Sequence, residues 1–433
     1  MRVLMFGWEF PPHISGGLGT ASYGLTRGMT AVPGMEVVFV VPKSWGDEDQ
    51  SAIKLVGANN IRVALKRIVY KGVSTTVKKI EVESRIVPYS DPDHFWRLTR
   101  SQKSSRSMLV KTDDQGRIEF SGRYDNNLLE EIEKYSIVAS VIASEEQFDV
   151  IHAHDWLAYP AGIAASRVSG KPLVIHVHAT DFDRSGGSVN PVVFDIEKRG
   201  MEMADRIIAV SNLTRDTVIN RYGINPAKVT TVYNAVEPVG GIYDDAGEGS
   251  VNEKVVTFLG RITLQKGPEY FIEAAHRVLQ VMDGVRFVMA GSGDMLERMI
   301  RRAAALRITD RFHFTGFLKG VDVYRMLRRS DVYIMPSVSE PFGISPLEAM
   351  QSNVPVIISK QSGVAEILTH AVKVDFWDID AMADAIHAIL SYPALSGMFI
   401  EKGREEVENF KWENSARRVV GIYRSAVEEK QKR

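Results

Sequence analysis

Two glutamates, Glu340 and Glu348, stand eight residues apart in the stretch EPFGISPLE. Upstream, residues 330–336 read as a buried strand. Downstream, Ser345-Pro346 reads as a helix start, with serine as the cap and proline at the first helical position. A strand, a glycine-containing loop and a helix N-terminus in that order aim backbone N–H groups and the positive end of a helix dipole at the loop, which suits an anion. The same letters spell a capping box, Ser345-x-x-Glu348, in which the glutamate merely bonds back to the cap's amide. That is the commoner role for a glutamate so placed. Positive charge comes from Arg261 and Lys266, which follow another apolar strand and are bracketed by Gly260 and Gly267. Two fixed cations beside a phosphate would stabilise charge gathering on a departing diphosphate. An ordinary surface pair is the plain reading of any such doublet; the flanking glycines and the strand end favour chemistry.

Three further groups need weighing. Gly16, Gly17 and Gly19 form a turn after the first strand, but Ser22 stands where the third glycine of a dinucleotide fingerprint belongs, which disfavours a nicotinamide site. His152/His154 and His176/His178 are i, i+2 pairs that share a strand face and could chelate a metal. No further histidine or acidic cluster completes a ligand set, so core or substrate-facing histidines are the stronger reading. Asp91 and Asp93 match a D-x-D metal–nucleotide motif but lie in a polar stretch, off any firm strand end.

The elements that must position these residues alternate. Strands are expected at 2–6, 36–41, 149–152, 173–178, 206–210 and 228–232, with an amphipathic helix over 126–144 carrying Leu128, Leu129, Ile132, Tyr135, Val138 and Ile142 on one face. Residues 43–124 have weak periodicity and read as a surface insertion. Residues 237–253, rich in glycine and acid, read as an interdomain linker. Alternation resumes with strands at 255–259, 285–290, 311–314, 332–335 and 354–358, before a mostly helical end. The fold class is therefore α/β: two doubly wound Rossmann-like domains with parallel sheets, residues 1–236 and 254–411, facing a crevice. Ligands in such sheets sit beyond the carboxyl ends of the strands. There the first half carries Asp155, His178, Ser211 and Asn234, and the second carries Gly291, Gly316 and Phe317. That mixture suits a nucleotide or sugar phosphate held between domains.

Composition narrows the class. The chain has 433 residues, 45% hydrophobic and 25% charged, with a net charge of −1, so there is no global attraction to nucleic acid. Cysteine is absent, which removes disulfides and thiolate chemistry. No apolar run reaches a membrane span and the N-terminus leads straight into a strand, so a cytoplasmic protein is expected. Residues 61–123 hold fourteen Lys/Arg against seven Asp/Glu. This basic segment is a candidate for peripheral membrane contact or for meeting a phosphorylated or lipid-linked acceptor; a solvated basic face explains it equally well.

Taken together, EPFG with Glu340 and Glu348, the Gly260-Arg261…Lys266-Gly267 pair, the glycine turn, HDW and VHAT resemble the retaining glycosyltransferases of the two-domain GT-B type. The likeness is to family 4 and to the bacterial and archaeal glycogen (starch) synthases, and it covers nearly the whole chain. It implies that Glu340 holds sugar hydroxyls, that the backbone of Phe342, Gly343 and Ile344 meets the sugar and diphosphate, and that Glu348 binds the ribose. It gives Arg261 and Lys266 the leaving diphosphate, and Gly316, Phe317 and Leu318 the base. His178 and Asn234 would lie near the reacting carbon, Gly17 and Gly19 in the loop that approaches the diphosphate, Gly291 at the donor site, and Asp155 on the acceptor side. It implies a C-terminal helix, 412–433, that crosses back to the N-terminal domain. It further implies no metal and no cofactor beyond the nucleotide-diphosphate sugar, such as ADP-glucose or UDP-glucose, with a carbohydrate or lipid-linked acceptor. One departure stands out: Ile14 occupies the place of the lysine that glycogen synthases carry two residues before the paired glycines. A non-catalytic sugar-nucleotide-binding protein is the rival from another class, disfavoured by the intact Arg261, Lys266, Glu340 and Glu348.

Overall fold

Runs that are wholly or almost wholly apolar, as in residues 37–41 and, with Thr257 alone polar, residues 255–259, call for strands buried on both faces, the environment of parallel sheets covered by helices. The computed structural model describes residues 1–14, 16–51, 53–63, 113–122, 124, 127–238 and 253–432. Its first sheet joins β1 (Arg2–Phe6), β2 (Glu36–Val41), β3 (Lys54–Gly57), β4 (Val150–His154), β5 (Leu173–Val177), β6 (Arg206–Ala209) and β7 (Val229–Thr231) in the order β3-β2-β1-β4-β5-β6-β7. The second joins β8 (Lys254–Leu259), β9 (Val285–Ala290), β10 (Phe312–Gly316), β11 (Val332–Met335), β12 (Val356–Ser359) and β13 (Val372–Val374) in the order β10-β9-β8-β11-β12-β13. The paired strands run parallel throughout, with Met5 opposite His152 and His154 opposite His176.

Both orders reverse once, between β1 and β4 and between β8 and β11. The loops leaving those strands diverge there and open a crevice, the usual ligand position in such sheets. The glycine turn follows β1, HDW follows β4, Arg261 and Lys266 follow β8, and Glu340 follows β11. Topology thus collects at two points what the sequence scatters over more than three hundred residues.

Two edge strands, β3 and β13, were not expected. Residues 43–124, read as an insertion, begin by extending the sheet. The first helix starts at Gly17, so part of the glycine turn is already helical. The helix Leu128–Glu145 buries the predicted face, and its Tyr135 hydroxyl lies 3.0 and 2.7 Å from the carbonyls of Gly7 and Val40, tying together the ends of β1 and β2. Most of the basic segment, both Asp91 and Asp93, and residues 239–252 of the linker lie outside the described residues. No described helix is long and apolar enough to cross a membrane.

The chain returns to its first domain in the helix Trp412–Lys432, which packs on the helix Gly17–Thr30. Glycine makes the approach possible: a Cβ on Gly24 would fall 2.3 Å from the Trp412 ring, and one on Gly28 would fall 2.6 Å from the Trp412 carbonyl. Beside this contact the two interdomain crossings touch, where the Val236 amide donates to the Phe410 carbonyl at 3.2 Å and the Ser415 hydroxyl to the Tyr233 carbonyl at 2.7 Å.

Candidate active site

The second domain builds one wall of the crevice. After β8 the chain turns through Gly260 and Arg261 into a short 3-10 turn, Leu264–Lys266, closed by Gly267 at φ +64°. A side chain at Gly267 would strike the Pro336 carbonyl at 2.1 Å, so this turn lies directly on the loop after β11. That contact brings the Lys266 ammonium onto the Glu340 carboxylate, whose same oxygen lies 3.4 Å from the Ser337 hydroxyl. Glu340 is itself fixed by its backbone, donating to Gln361 and accepting from Gly363, each at 2.9 Å.

The loop then enters the left-handed region at Gly343, φ +100°. The Phe342 ring is buried in the core, and its carbonyl accepts from Val364 at 2.8 Å. The amides of Phe342, Gly343 and Ile344 donate to no acceptor among the described residues. Three neighbouring donors at a helix start are groups of the kind that can receive an anion.

The helix Ser345–Gln351 starts differently from the sequence reading. Ser345 does not cap it: its hydroxyl accepts instead from Tyr333 at 2.7 Å. The expected capping box is absent, and Glu348 is left half-buried with its carboxylate unused by the helix end. Burial pushes that carboxyl up to about 7. The tyrosine hydroxyl, twelve residues upstream on β11, wins the serine because buried hydroxyls take the nearest partner that satisfies both.

The remaining second-domain residues divide. Gly316, at φ +74°, leads to an exposed Phe317 and a half-buried Leu318. Gly291 has a packing reason: a Cβ there would fall 1.8 Å from the Gly260 carbonyl, so the loops after β8 and β9 meet backbone to backbone.

The first domain supplies the facing wall. At Gly17 a Cβ would meet open space, whereas at Gly19 it would strike Ile14 at 2.5 Å, so the two glycines serve approach and packing respectively. Asn234 is buried on the crossing segment. Asp155, in a left-handed conformation at φ +61°, sits in a closed ion network that the sequence did not reveal. Arg184 reaches Asp155 at 3.6 Å, Asp181 at 3.8 Å and Glu197 in direct contact, and Tyr222 donates to Glu197. Burial lifts Asp155 to about 6 and Glu197 to about 8, against the pull of Arg184.

The four histidines form a column across the ends of β4 and β5. His152 meets the Tyr423 hydroxyl of the C-terminal helix, and His154 Nδ1 lies 2.9 Å from His178 Nε2. His152, His154 and His176 are close enough for a shared ion. Their rings, however, stack within 26° of parallel at centroid distances of 4.2 to 5.4 Å. Ligand lone pairs lie in the ring plane, and nearly parallel planes cannot converge on one metal. Burial holds all four far below the ordinary histidine range, and therefore neutral.

Among the described residues the walls touch at several points, and the Thr214 hydroxyl, for one, donates to the Pro341 carbonyl at 3.4 Å. The Ser339 hydroxyl, next to Glu340, donates to Asp183 at 2.6 Å, while Asp183 also closes a capping box with Thr180. Glu366 accepts from the amides of Asn212 and Leu213 at 2.9 and 2.7 Å and from Tyr233 at 2.9 Å. The Thr180-Asp181-x-Asp183 pattern carried a readable cap signal; nothing local marked its partner across the crevice.

Two parallel-sheet α/β domains, each with one reversal of strand order, define a GT-B architecture. Residues 244–406 match the family described as glycosyl transferases group 1, and residues 122–239 match glycosyltransferase family 4. An uncharacterized glycosyltransferase of Methanocaldococcus jannaschii is 27% identical over 99% of both chains. The glycogen synthase of Mycobacterium tuberculosis is 24% identical over 98% of this chain and 95% of its own. Among solved structures, sucrose-phosphate synthase from Thermosynechococcus elongatus superposes with a TM-score of 0.72 at 18% identity, covering 98% of each chain. Anabaena HepE, solved with UDP and glucose, superposes with a TM-score of 0.67 at 15% identity, covering 98% of this chain and 100% of that one. The chain is a GT-B glycosyltransferase of the family 4 type.

Proposed function

We propose that the protein transfers a hexosyl unit, with glucosyl favoured, from a nucleotide-diphosphate sugar to a hydroxyl acceptor, with retention at the transferred carbon and without a metal. The carrying observation is the Lys266–Glu340 pair beside the free amides of Phe342, Gly343 and Ile344. A diphosphate seated on those amides would draw Lys266 and Arg261, and Glu340 would turn its released oxygen to sugar hydroxyls. Glu348, with no helix amide to serve, would take the ribose. As the bond from the sugar carbon to the phosphate oxygen breaks, the cations stabilise the charge left on the diphosphate. The acceptor oxygen attacks from the same face, and its proton passes to that departing oxygen. Anabaena HepE, solved with UDP-glucose, supports this donor class.

An α-glucan acceptor is the favoured reading. A lipid-linked or polysaccharide acceptor is the second, and Ile14 supports it: where glycogen synthases place a lysine, this chain packs an apolar side chain against Gly19. A thermal-shift screen of ADP-, UDP- and GDP-sugars tests the donor, since a ligand of the native state raises its melting temperature. One nucleotide sugar should stabilise the protein, and NMR of the product formed on maltooligosaccharide should give the α-anomer without added metal. No stabilisation by any of them would overturn the donor reading; a strict Mn²⁺ requirement would overturn metal independence.

A further inference from the structure

We propose that His154 is a positioning residue that fixes His178 as a hydrogen-bond donor toward the crevice, through its Nδ1–H. This rests on the reading above that His178 meets the donor sugar. His154 is fully buried at the end of β4, stacked between Phe39 at 6.1 Å and His152 at 4.2 Å, so its ring has little freedom. Its Nδ1 lies 2.9 Å from His178 Nε2, and the His178 ring is held in turn on His176 at 4.3 Å.

Both rings are neutral, so each carries one N–H, and the contact admits two arrangements. If His178 donated, His154 would carry its proton on Nε2, which is buried with no partner. A buried N–H without an acceptor is the rarer and costlier defect, compared with an unpaired lone pair. His154 therefore donates from Nδ1, and His178, accepting at Nε2, carries its proton on Nδ1. His178 is half-buried, and its Nδ1 has no partner among the described residues, which leaves that N–H for a hydroxyl or phosphate oxygen of the nucleotide sugar. The second histidine of the HAH pair thus sets the tautomer of the second histidine of the HVH pair.

The test uses the full-length protein labelled with 15N-histidine, with His178 assigned by loss of its signal in His178→Ala. Long-range 1H–15N spectra should show His178 protonated on Nδ1. His154→Phe, which keeps a buried ring but no donor, should move the proton wholly or partly to Nε2. His154→Asn, whose amide nitrogen can stand where Nδ1 stood, should keep it on Nδ1. With UDP-glucose or ADP-glucose as donor, His154→Phe should lower kcat roughly ten- to a hundredfold with donor KM little changed, as loss of orientation does, and His154→Asn should restore most of it. Melting temperatures of both variants separate this from unfolding. A wild-type His178 protonated on Nε2, or a tautomer indifferent to His154→Phe, overturns the proposal. If His178→Ala turns over normally, the role of His178 in transfer fails instead, and the tautomer result stands apart from it.

Discussion

Replacing Lys266 with alanine separates the two things this side chain does. In the structure it neutralises Glu340, and in the proposed reaction it neutralises a diphosphate. The lysine side chain is 20% exposed and that of Glu340 8%, so the pair lies between a surface and a buried ion pair. Removing one partner should cost about 2 kcal/mol of stability, between the two limits known for such pairs. Removing a fixed charge aimed at the leaving group should cost about 3 kcal/mol in the transition state, or roughly a hundredfold in kcat. Adding Glu340→Gln to Lys266→Ala removes the stranded carboxylate and should recover much of the stability while leaving turnover low. Urea denaturation and steady-state nucleotide release across donor concentrations measure both halves. A Lys266→Ala enzyme with normal kcat and a raised donor KM would refute the leaving-group role. So would a double variant that regains turnover, because the lysine would then have been needed only to neutralise Glu340.

Three other outcomes follow from the same geometry. Glu348 has a folded pKa of about 7 against an ordinary 4.5, so its contribution to stability is fully present below 4.5 and is lost as pH rises through 7; Glu348→Gln should flatten that decline, and in the native enzyme donor KM should fall as pH rises past 7 and the carboxylate becomes free to accept from ribose. A KM profile unaffected by the substitution would count against the ribose role. Gly343→Ala places a Cβ at φ +100° and 3.1 Å from the Met335 side chain, and should cost ~1–3 kcal/mol and weaken nucleotide binding in a thermal-shift titration; unchanged values for both would remove the strained loop from the site. Glu366→Ala strips the acceptor from two helix amides across the domain boundary, at about 1 kcal/mol, and should open the domains in small-angle scattering of the unliganded protein. An identical scattering profile would mean that Ser339–Asp183 and the paired crossings hold the domains without it.

Much of the fold was legible because its signals are local. Interior strands of a parallel sheet announce themselves as largely apolar runs, and β1, β2, β8, β9 and β11 fell close to their expected bounds. The edge strands β3 and β13 escaped because an edge is only partly buried: of the four residues of β3 just Gly57 is buried, and of the three of β13 just Val374. The start of the helix at Ser345 was legible and its capping was not. A capping box is a claim about four residues, but Tyr333 competes for the serine from the neighbouring strand.

By itself, the sequence determined which side chains stand at strand ends: Arg261 and Lys266 after β8, Glu340 and Glu348 after β11, the histidine pairs on β4 and β5. Those placements follow from chain connectivity and period alone. Tertiary structure decided what each of them faces. Lys266 and Glu340, 74 residues apart, become partners because Gly267 lets one turn lie on another. Asp155, one residue beyond the histidine pair, turns away into the Arg184–Glu197 network, and His154 turns toward His178. A side chain's neighbours across a crevice are set by how two sheets reverse and where two domains meet, and neither is written in the spacing of any one motif.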